Sequence, residues 1–326
     1  MIETSILKAL AAAAMMALPC VGAAAERAAI VPMPAEYEMG EGAIALPQQL
    51  TVGGDMADEA VGYLKLRGYD ATKSQQPAIT ANVDTLIAAE GYTLEVVPEG
   101  ISVNAADGAG LMYAIETLTQ LIDQAEGGNI AACRIADSPR YGYRGAMLDV
   151  VRCYLPIDEV KKIVDVASRL KLNKLHLHLT DDNGWRMQIK KYPKLTEVGA
   201  WRVDREELFP GRANPKEGEP TTYGGYYTQD ELRGLVDYAA QRNVEVIPEI
   251  EMPAHAIAAI ASYPELTCPV NDEFIGVLPG IGGKAASIIL CAGNDSTIAF
   301  VKDVLDEVMD VFPSQYIHLG GDEAHK

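Results

Sequence analysis

The chain has 326 residues, 48% of them apolar and 22% charged, with a formal charge of −19. That length suits about two domains. So acidic a chain, with no basic stripe, excludes a nucleic-acid partner and favours a neutral or polar ligand. Leu7–Ala25 is an alanine-rich apolar run closing in Val-Gly-Ala-Ala-Ala before Glu26. It reads as a signal peptide over residues 1–25, hence export to the periplasm or beyond. Cys20 leaves a lipid anchor open, although Leu18-Pro19 fits that signal poorly. No later run approaches the ~20 apolar residues of a spanning helix.

Residues 26–138 read as a small α+β domain without evident chemistry. Tyr92–Val97 and Ile101–Ala105 alternate around Pro98-Glu99-Gly100, a hairpin pattern. Ala109–Gln124 carries Leu111, Met112, Ile115, Leu118, Leu121 and Ile122 at helical spacing. From Tyr141 the texture changes to strand, loop, helix, repeated. Strands are expected at Gly145–Val150, Lys174–Leu179, Val244–Ile250 and Tyr316–Leu319. Helices are expected at Ile157–Leu170, from Thr228 (a capping-box partner of Glu231) to about Gln241, and at Ser296–Val311. Strands separated by helices imply parallel crossovers, an α/β layer or barrel. No Cys-x-x-Cys spacing exists, so a zinc knuckle is not expected. Cys268 and Cys291 flank a loop with Gly276, Gly280, Gly282 and Gly283, and either staple it or stay as free thiols; the free thiols are the expectation.

The polar residues fall at the carboxyl ends of the expected strands: Asp149 and Arg152, Asp181 and Asp182, Glu249, Glu251 and His255, then Asp322 and Glu323. That is the catalytic face of a (β/α)₈ barrel, and the glycine-rich nucleotide loop of a doubly wound sheet is missing. Adjacent acids at a strand end suit sugar hydrolysis, where one carboxyl holds a proton while its neighbour stays ionised. They equally suit a helix N-cap.

Four stretches carry a family resemblance. They are Arg144-Gly-Ala-Met-Leu-Asp-Val-Val-Arg-Cys-Tyr154, Lys171–Arg186 with Leu-Thr-Asp-Asp-Asn-Gly-Trp-Arg at its end, Pro248-Glu-Ile-Glu-Met-Pro-Ala-His255, and His318-Leu-Gly-Gly-Asp-Glu323. In this order they resemble the family 20 glycoside hydrolases, the β-N-acetylhexosaminidases. The resemblance implies a TIM barrel over 139–326 behind the small domain, no cofactor, and glycans ending in β-linked GlcNAc or GalNAc as partners. It implies a retaining, substrate-assisted mechanism, an exception to the two-carboxylate scheme. In it Glu323 matches the general acid/base and Asp322 the residue holding the acetamido N–H. Arg152 matches the arginine that grips ring hydroxyls, and Asp181 and His255 match a relay to Glu323.

Departures from the family pattern are Cys153, where histidine is common beside the arginine, and Ala254, where glycine is usual before His255. Only about four of the eight barrel strands are expected in this sequence, and neither Trp185 nor Trp201 matches the aromatic wall around the acetamido group. A fragment ending after the Gly-Gly-Asp-Glu motif, inactive by itself, is therefore expected. The alternatives are a non-catalytic sugar-binding protein, or a metal-dependent barrel hydrolase using His176 and His178 with His255 and an aspartate. Under the family resemblance these two strand histidines have no catalytic role. Arg152 has a plainer reading too, a structural salt bridge to a nearby acid.

Overall fold

The structure is a computed structural model and describes residues 27–270, 273–281 and 288–324. The signal-peptide run, Gly282, Gly283 and Lys326 lie outside them. No helix among the described residues is long and apolar enough to cross a membrane. The chain falls into two compact units that divide between Pro139 and Arg140.

The first unit is built on one seven-stranded sheet. Its strands are β1 (Glu36–Ala45), β2 (Leu50–Gly53), β3 (Ala71–Lys73), β4 (Ile79–Val83), β5 (Tyr92–Val97), β6 (Gly100–Ala105) and β7 (Asn129–Asp137), with helix α1 (Ala57–Leu66) after β2 and α2 (Gly108–Asp123) after β6. Their order is β1-β7-β5-β6-β4-β2-β3. The expected hairpin is β5–β6, antiparallel from Tyr92 opposite Ala105 to Val97 opposite Gly100. Asp107 caps α2, accepting from the N–H of Gly110 at 2.8 Å, as an N-cap carboxylate does. Leu111, Ile115, Leu118 and Leu121 of α2 join the core with Leu94, Val96 and Val103 of the hairpin.

The second unit carries the strand–helix repeat. β8 (Gly145–Asp149), α3 (Ile157–Arg169), β9 (Lys174–His178), α4 (Gln229–Ala240), β10 (Glu245–Glu249), α5 (Ile257–Ser262) and α6 (Asp295–Val311) follow in order. β8, β9 and β10 form a parallel sheet with β9 in the middle. Helix α3 begins after Pro156 with Asp158 and Glu159 in its first turn and Arg169 in its last, charges that complement the helix dipole. It ends where Lys171 takes φ +57°. Its Val160 and Val164 pack with Leu175 and Leu177 of β9, Val246 of β10, and Leu232 and Leu235 of α4. The capping box of α4 is present, Thr228 and Glu231 each closing on the other's backbone.

One expected strand differs. At 316–319 the chain makes a single parallel bridge, His318 to Glu249, rather than a strand. Its backbone bonds all go to one side: His318 N–H to Pro248 O, and His318 O and Leu319 O to the N–H groups of Ile250 and Met252. Gly320 and Gly321 then turn to positive φ and end the extended run. The free thiols expected at 268 and 291 are also overturned, because Cys268 and Cys291 form a disulfide. The bond joins the segment after α5 to the one leading into α6. Of the other cysteines, Cys133 is buried and Cys153 exposed.

Candidate active site

The site grows from one register row. β8, β9 and β10 run in step, so Asp149 sits opposite His178 and His178 opposite Glu249 at the carboxyl ends. His176 lies two residues before His178 and shares its side of the strand. Both reach Glu249 Oε2, His176 Nε2 at 2.9 Å and His178 Nδ1 at 2.5 Å. His318 Nδ1 stands 2.8 Å from the other oxygen, Oε1. Burial would raise the Glu249 pKa, but the bonds and charges of His176 and His178 hold it well below the usual carboxylate range.

Asp149 closes the turn after β8, its Oδ1 accepting from the N–H groups of Val151 and Arg152 at 2.9 Å each. Its Oδ2 takes Arg152 Nη1 at 3.1 Å, while Arg152 Nη2 lies 2.6 Å from Asp181 Oδ2. Arg152 thus makes salt bridges, yet a third of its side chain stays open to solvent. Two further arginines hold the backbone at Val150, Val151 and Arg152. Arg186 is fully buried and spends its donors on the carbonyls of Val150, Val151, Asn183, Ala200 and Gly225. Arg202, 1% exposed, donates to the carbonyls of Val151, Asn183 and Arg152, the last at 2.7 Å. Burial and mutual repulsion push Arg186 down to about 10. Arg186 falls inside one of the family motifs without a role assigned to it and Arg202 lies outside all of them; the signal for Arg186 is a cation inside a run, residues 180–187, that buries completely.

His255 joins the remaining acids. Its Nδ1 is 3.3 Å from Asp181 Oδ1 and 3.4 Å from Asp182 Oδ2. Its Nε2 is 3.4 Å from Glu323 Oε2 and 3.7 Å from Asp322 Oδ2. The nearby Asp181 carboxylate, against the opposing effect of burial, pushes His255 up to about 9. Burial acts to raise Asp181, but its bonds with His178 and His255 and the Arg152 charge bring it to about 2. Asp182 goes the other way, up to about 6, through burial and the Asp181 charge. Asp322 and Glu323 themselves are largely exposed, open to a ligand. Glu323 in their turn, and His255 in the segment after β10, both have positive φ, which non-glycine residues keep only where the surroundings enforce it. Beneath the turn Glu251 is buried and pushed up to about 7, by burial first and then by the Glu249 and Asp322 charges.

All five residues expected at the site (Arg152, Asp181, His255, Asp322 and Glu323) are therefore linked in one connected set. The metal set weighed from sequence is divided instead. Among the described residues, His176 groups with Glu249 and His318, His178 with Glu249 and Glu251, and His255 with Asp181 and Asp182. His318 Nδ1, 2.8 Å from Glu249 Oε1, accepts from the Gly320 N–H at 3.1 Å.

Residues 141–326 match the family model "Glycosyl hydrolase family 20, catalytic domain", and residues 27–138 match "Glycosyl hydrolase family 20, domain 2". The beta-hexosaminidase of Porphyromonas gingivalis is 37% identical over 93% of this chain and 41% of its own length. That of Vibrio furnissii is 35% identical over 90% and 48%. The chain thus spans under half the length of these curated relatives. The solved β-N-acetylhexosaminidase of Bacteroides fragilis superposes with TM-score 0.74 at 37% identity, covering 91% of this chain and 57% of that one. The Streptomyces plicatus enzyme, solved with Thio-NAglucal, gives 0.78 at 36%, covering 91% and 59%. The architecture is a small α+β domain followed by TIM-barrel strand–helix units, and the chain belongs to glycosyl hydrolase family 20.

Proposed function

We propose that the protein hydrolyses terminal, non-reducing β-linked N-acetylhexosamine by a retaining, substrate-assisted reaction. The observation that carries the reading is the approach of Asp322 and Glu323 to one imidazole, His255, with Arg152 tied to the same Asp181 that faces that imidazole. In the reaction, the carbonyl oxygen of the sugar's 2-acetamido group attacks the anomeric carbon and the glycosidic C–O bond breaks. Glu323 gives its proton to the departing oxygen. Asp322 accepts from the acetamido N–H and offsets the positive charge that grows on the closing ring. Water then opens the ring at the anomeric carbon, Glu323 taking the proton it lost. Arg152 presents a planar fork of donors to ring hydroxyls. His255 stands between Asp181 and the two acids, its Nδ1 facing Asp181 and its Nε2 facing Glu323 and Asp322. Export is part of the proposal, supported by the Leu7–Ala25 run and by the Cys268–Cys291 bond, which suits an oxidising compartment.

The test is Glu323→Gln in the full-length protein. Hydrolysis of glycosides with poor leaving groups should vanish while activated aryl glycosides keep part of their rate, because they need less protonation. Equal retention of both activities would remove Glu323 from the acid role. A thiazoline analogue of the cyclic intermediate should inhibit; normal hydrolysis without such inhibition would refute the substrate-assisted route.

A further inference from the structure

His178 stands at the junction of the two halves of the site. Its side chain is 4% exposed. Nδ1 lies 2.5 Å from Glu249 Oε2 and Nε2 lies 2.9 Å from Asp181 Oδ2. Ionised carboxylates only accept, so both ring nitrogens must carry protons to satisfy both neighbours, and that is the imidazolium. Burial alone would lower the His178 pKa, but its bonds to Asp181 and Glu249 outweigh burial and push it up to about 9. The groups facing the ring are Arg152 after β8, Asp181 after β9, and Glu249 and Glu251 at the end of β10.

Arg152 Nη1 is 3.1 Å from His178 Nε2. With that nitrogen's proton directed at Asp181, the contact joins two cations across a shared anion. Asp181 Oδ2 therefore takes two charged donors, His178 Nε2 and Arg152 Nη2. Its other oxygen, Oδ1, is left for the Asp182 N–H at 2.6 Å and for His255 at 3.3 Å. The carboxylate plane of Asp181 is set by His178 on one side, and this decides how it meets His255 on the other.

We propose that His178, anchored by Glu249, is a positioning residue that orients Arg152 for the sugar and Asp181 for His255. This rests on the reading of Arg152 and Glu323 given above. His178 touches no reacting atom; it acts through two side chains that do different work. Its loss should therefore appear in substrate binding through Arg152 and in turnover through the Asp181–His255 relay. A residue that only filled the core would lower the amount of folded protein and leave the kinetic constants of the remainder unchanged.

The experiment compares wild type, His178→Gln and Glu249→Gln of the full-length protein, each confirmed as folded by circular dichroism. Histidine ¹⁵N spectra should show both His178 nitrogens protonated through pH 8 in wild type and losing that state at lower pH in Glu249→Gln. His178→Gln should raise KM for an aryl β-N-acetylglucosaminide about tenfold and lower kcat about tenfold per folded molecule. It should also shift the Arg152 side-chain ¹⁵N resonances. Titration of wild-type His178 near 6.5, or unchanged KM and kcat in folded His178→Gln, would overturn the proposal. If wild type neither hydrolyses nor binds the glycoside, the sugar reading fails. The Arg152 resonances then decide the positioning claim: a shift in His178→Gln supports it and an unmoved spectrum overturns it.

Discussion

Gly320 and Glu251 compete for one space. A Cβ built on Gly320 would fall 1.6 Å from Glu251 Oε2, and Gly320 already stands at φ +61°. The same oxygen accepts from the Gly321 N–H at 3.4 Å. The buried acid and the absent side chain together shape the turn that presents Asp322 and Glu323.

Gly320→Ala should therefore cost catalysis out of proportion to stability. The left-handed conformation costs roughly 1–2 kcal/mol for an L-residue, and the clash must be relieved by moving either Glu251 or the turn. Hydrolysis should fall strongly while thermal unfolding shifts only modestly. Adding Glu251→Ala to Gly320→Ala should return part of the activity by making room. Wild-type kinetics in Gly320→Ala would show that the turn tolerates the displacement.

The site's ionisable groups predict a stability optimum at mildly acidic pH. Asp181, lowered from 3.8 to about 2, contributes stability above pH 3.8 that is lost as pH falls through 2. His178, raised from 6.5 to about 9, contributes stability below pH 6.5 that is lost as pH rises through 9. His255, likewise raised to about 9, acts in the same direction as His178. Asp182, raised to about 6, favours the folded state when protonated, so its contribution declines as pH climbs from 3.8 through 6. The thermal midpoint should peak near pH 4–5 and fall most steeply on the alkaline side. For His178 alone the shift is on the order of 3 kcal/mol. Unfolding scans from pH 3 to 10 test this, and His178→Gln should flatten the alkaline slope.

Arg186 and Arg202 should resist even conservative replacement. Lysine offers three donors from one point and cannot reproduce a fork that reaches carbonyls on several loops. Arg186→Lys should leave several buried carbonyls short of a partner and cost about 3 kcal/mol, at roughly 1 kcal/mol for each lost bond. Arg202→Lys loses the donor to the Arg152 carbonyl and should raise KM more than it lowers kcat. Chemical denaturation and steady-state kinetics separate the two outcomes.

Thr228 and Glu231 announce their helix in the sequence because a capping box is a local device, complete within four residues. Parallel strands with acids at their carboxyl ends are nearly as plain, since the alternation of strand and helix and the position of each acid lie within a short window. Other features involve partners far apart in sequence. β1 pairs with β7 across the whole small domain, and nothing near Glu36 or Ala136 encodes that partner. His178 meets Glu249 across 71 positions, so its place between two acids emerges only when β9 and β10 lie in register. Motif likeness brought Arg152, Asp181, His255, Asp322 and Glu323 forward together, but the charges around His178 and the buried Arg186 and Arg202 needed coordinates.

The Cys268–Cys291 bond makes the last prediction. The two residues are 23 apart in sequence, and closing a loop of that size removes unfolded-state entropy worth about 3 kcal/mol on the chain-entropy relation. The link holds the end of the α5 segment beside the start of α6, where the Cys291 N–H also bonds the Leu266 carbonyl at 2.8 Å and Asn294 caps the helix. Because that backbone bond and the cap survive reduction, the helix should persist while the whole unit becomes less stable. Cys268→Ala/Cys291→Ala, or reduction of wild type, should lower the denaturation free energy by up to about 3 kcal/mol with little change in helical signal at low temperature. Peptide mapping without reductant should recover the 268 and 291 peptides joined. Free thiols at both positions in protein purified from an oxidising compartment would refute the pairing.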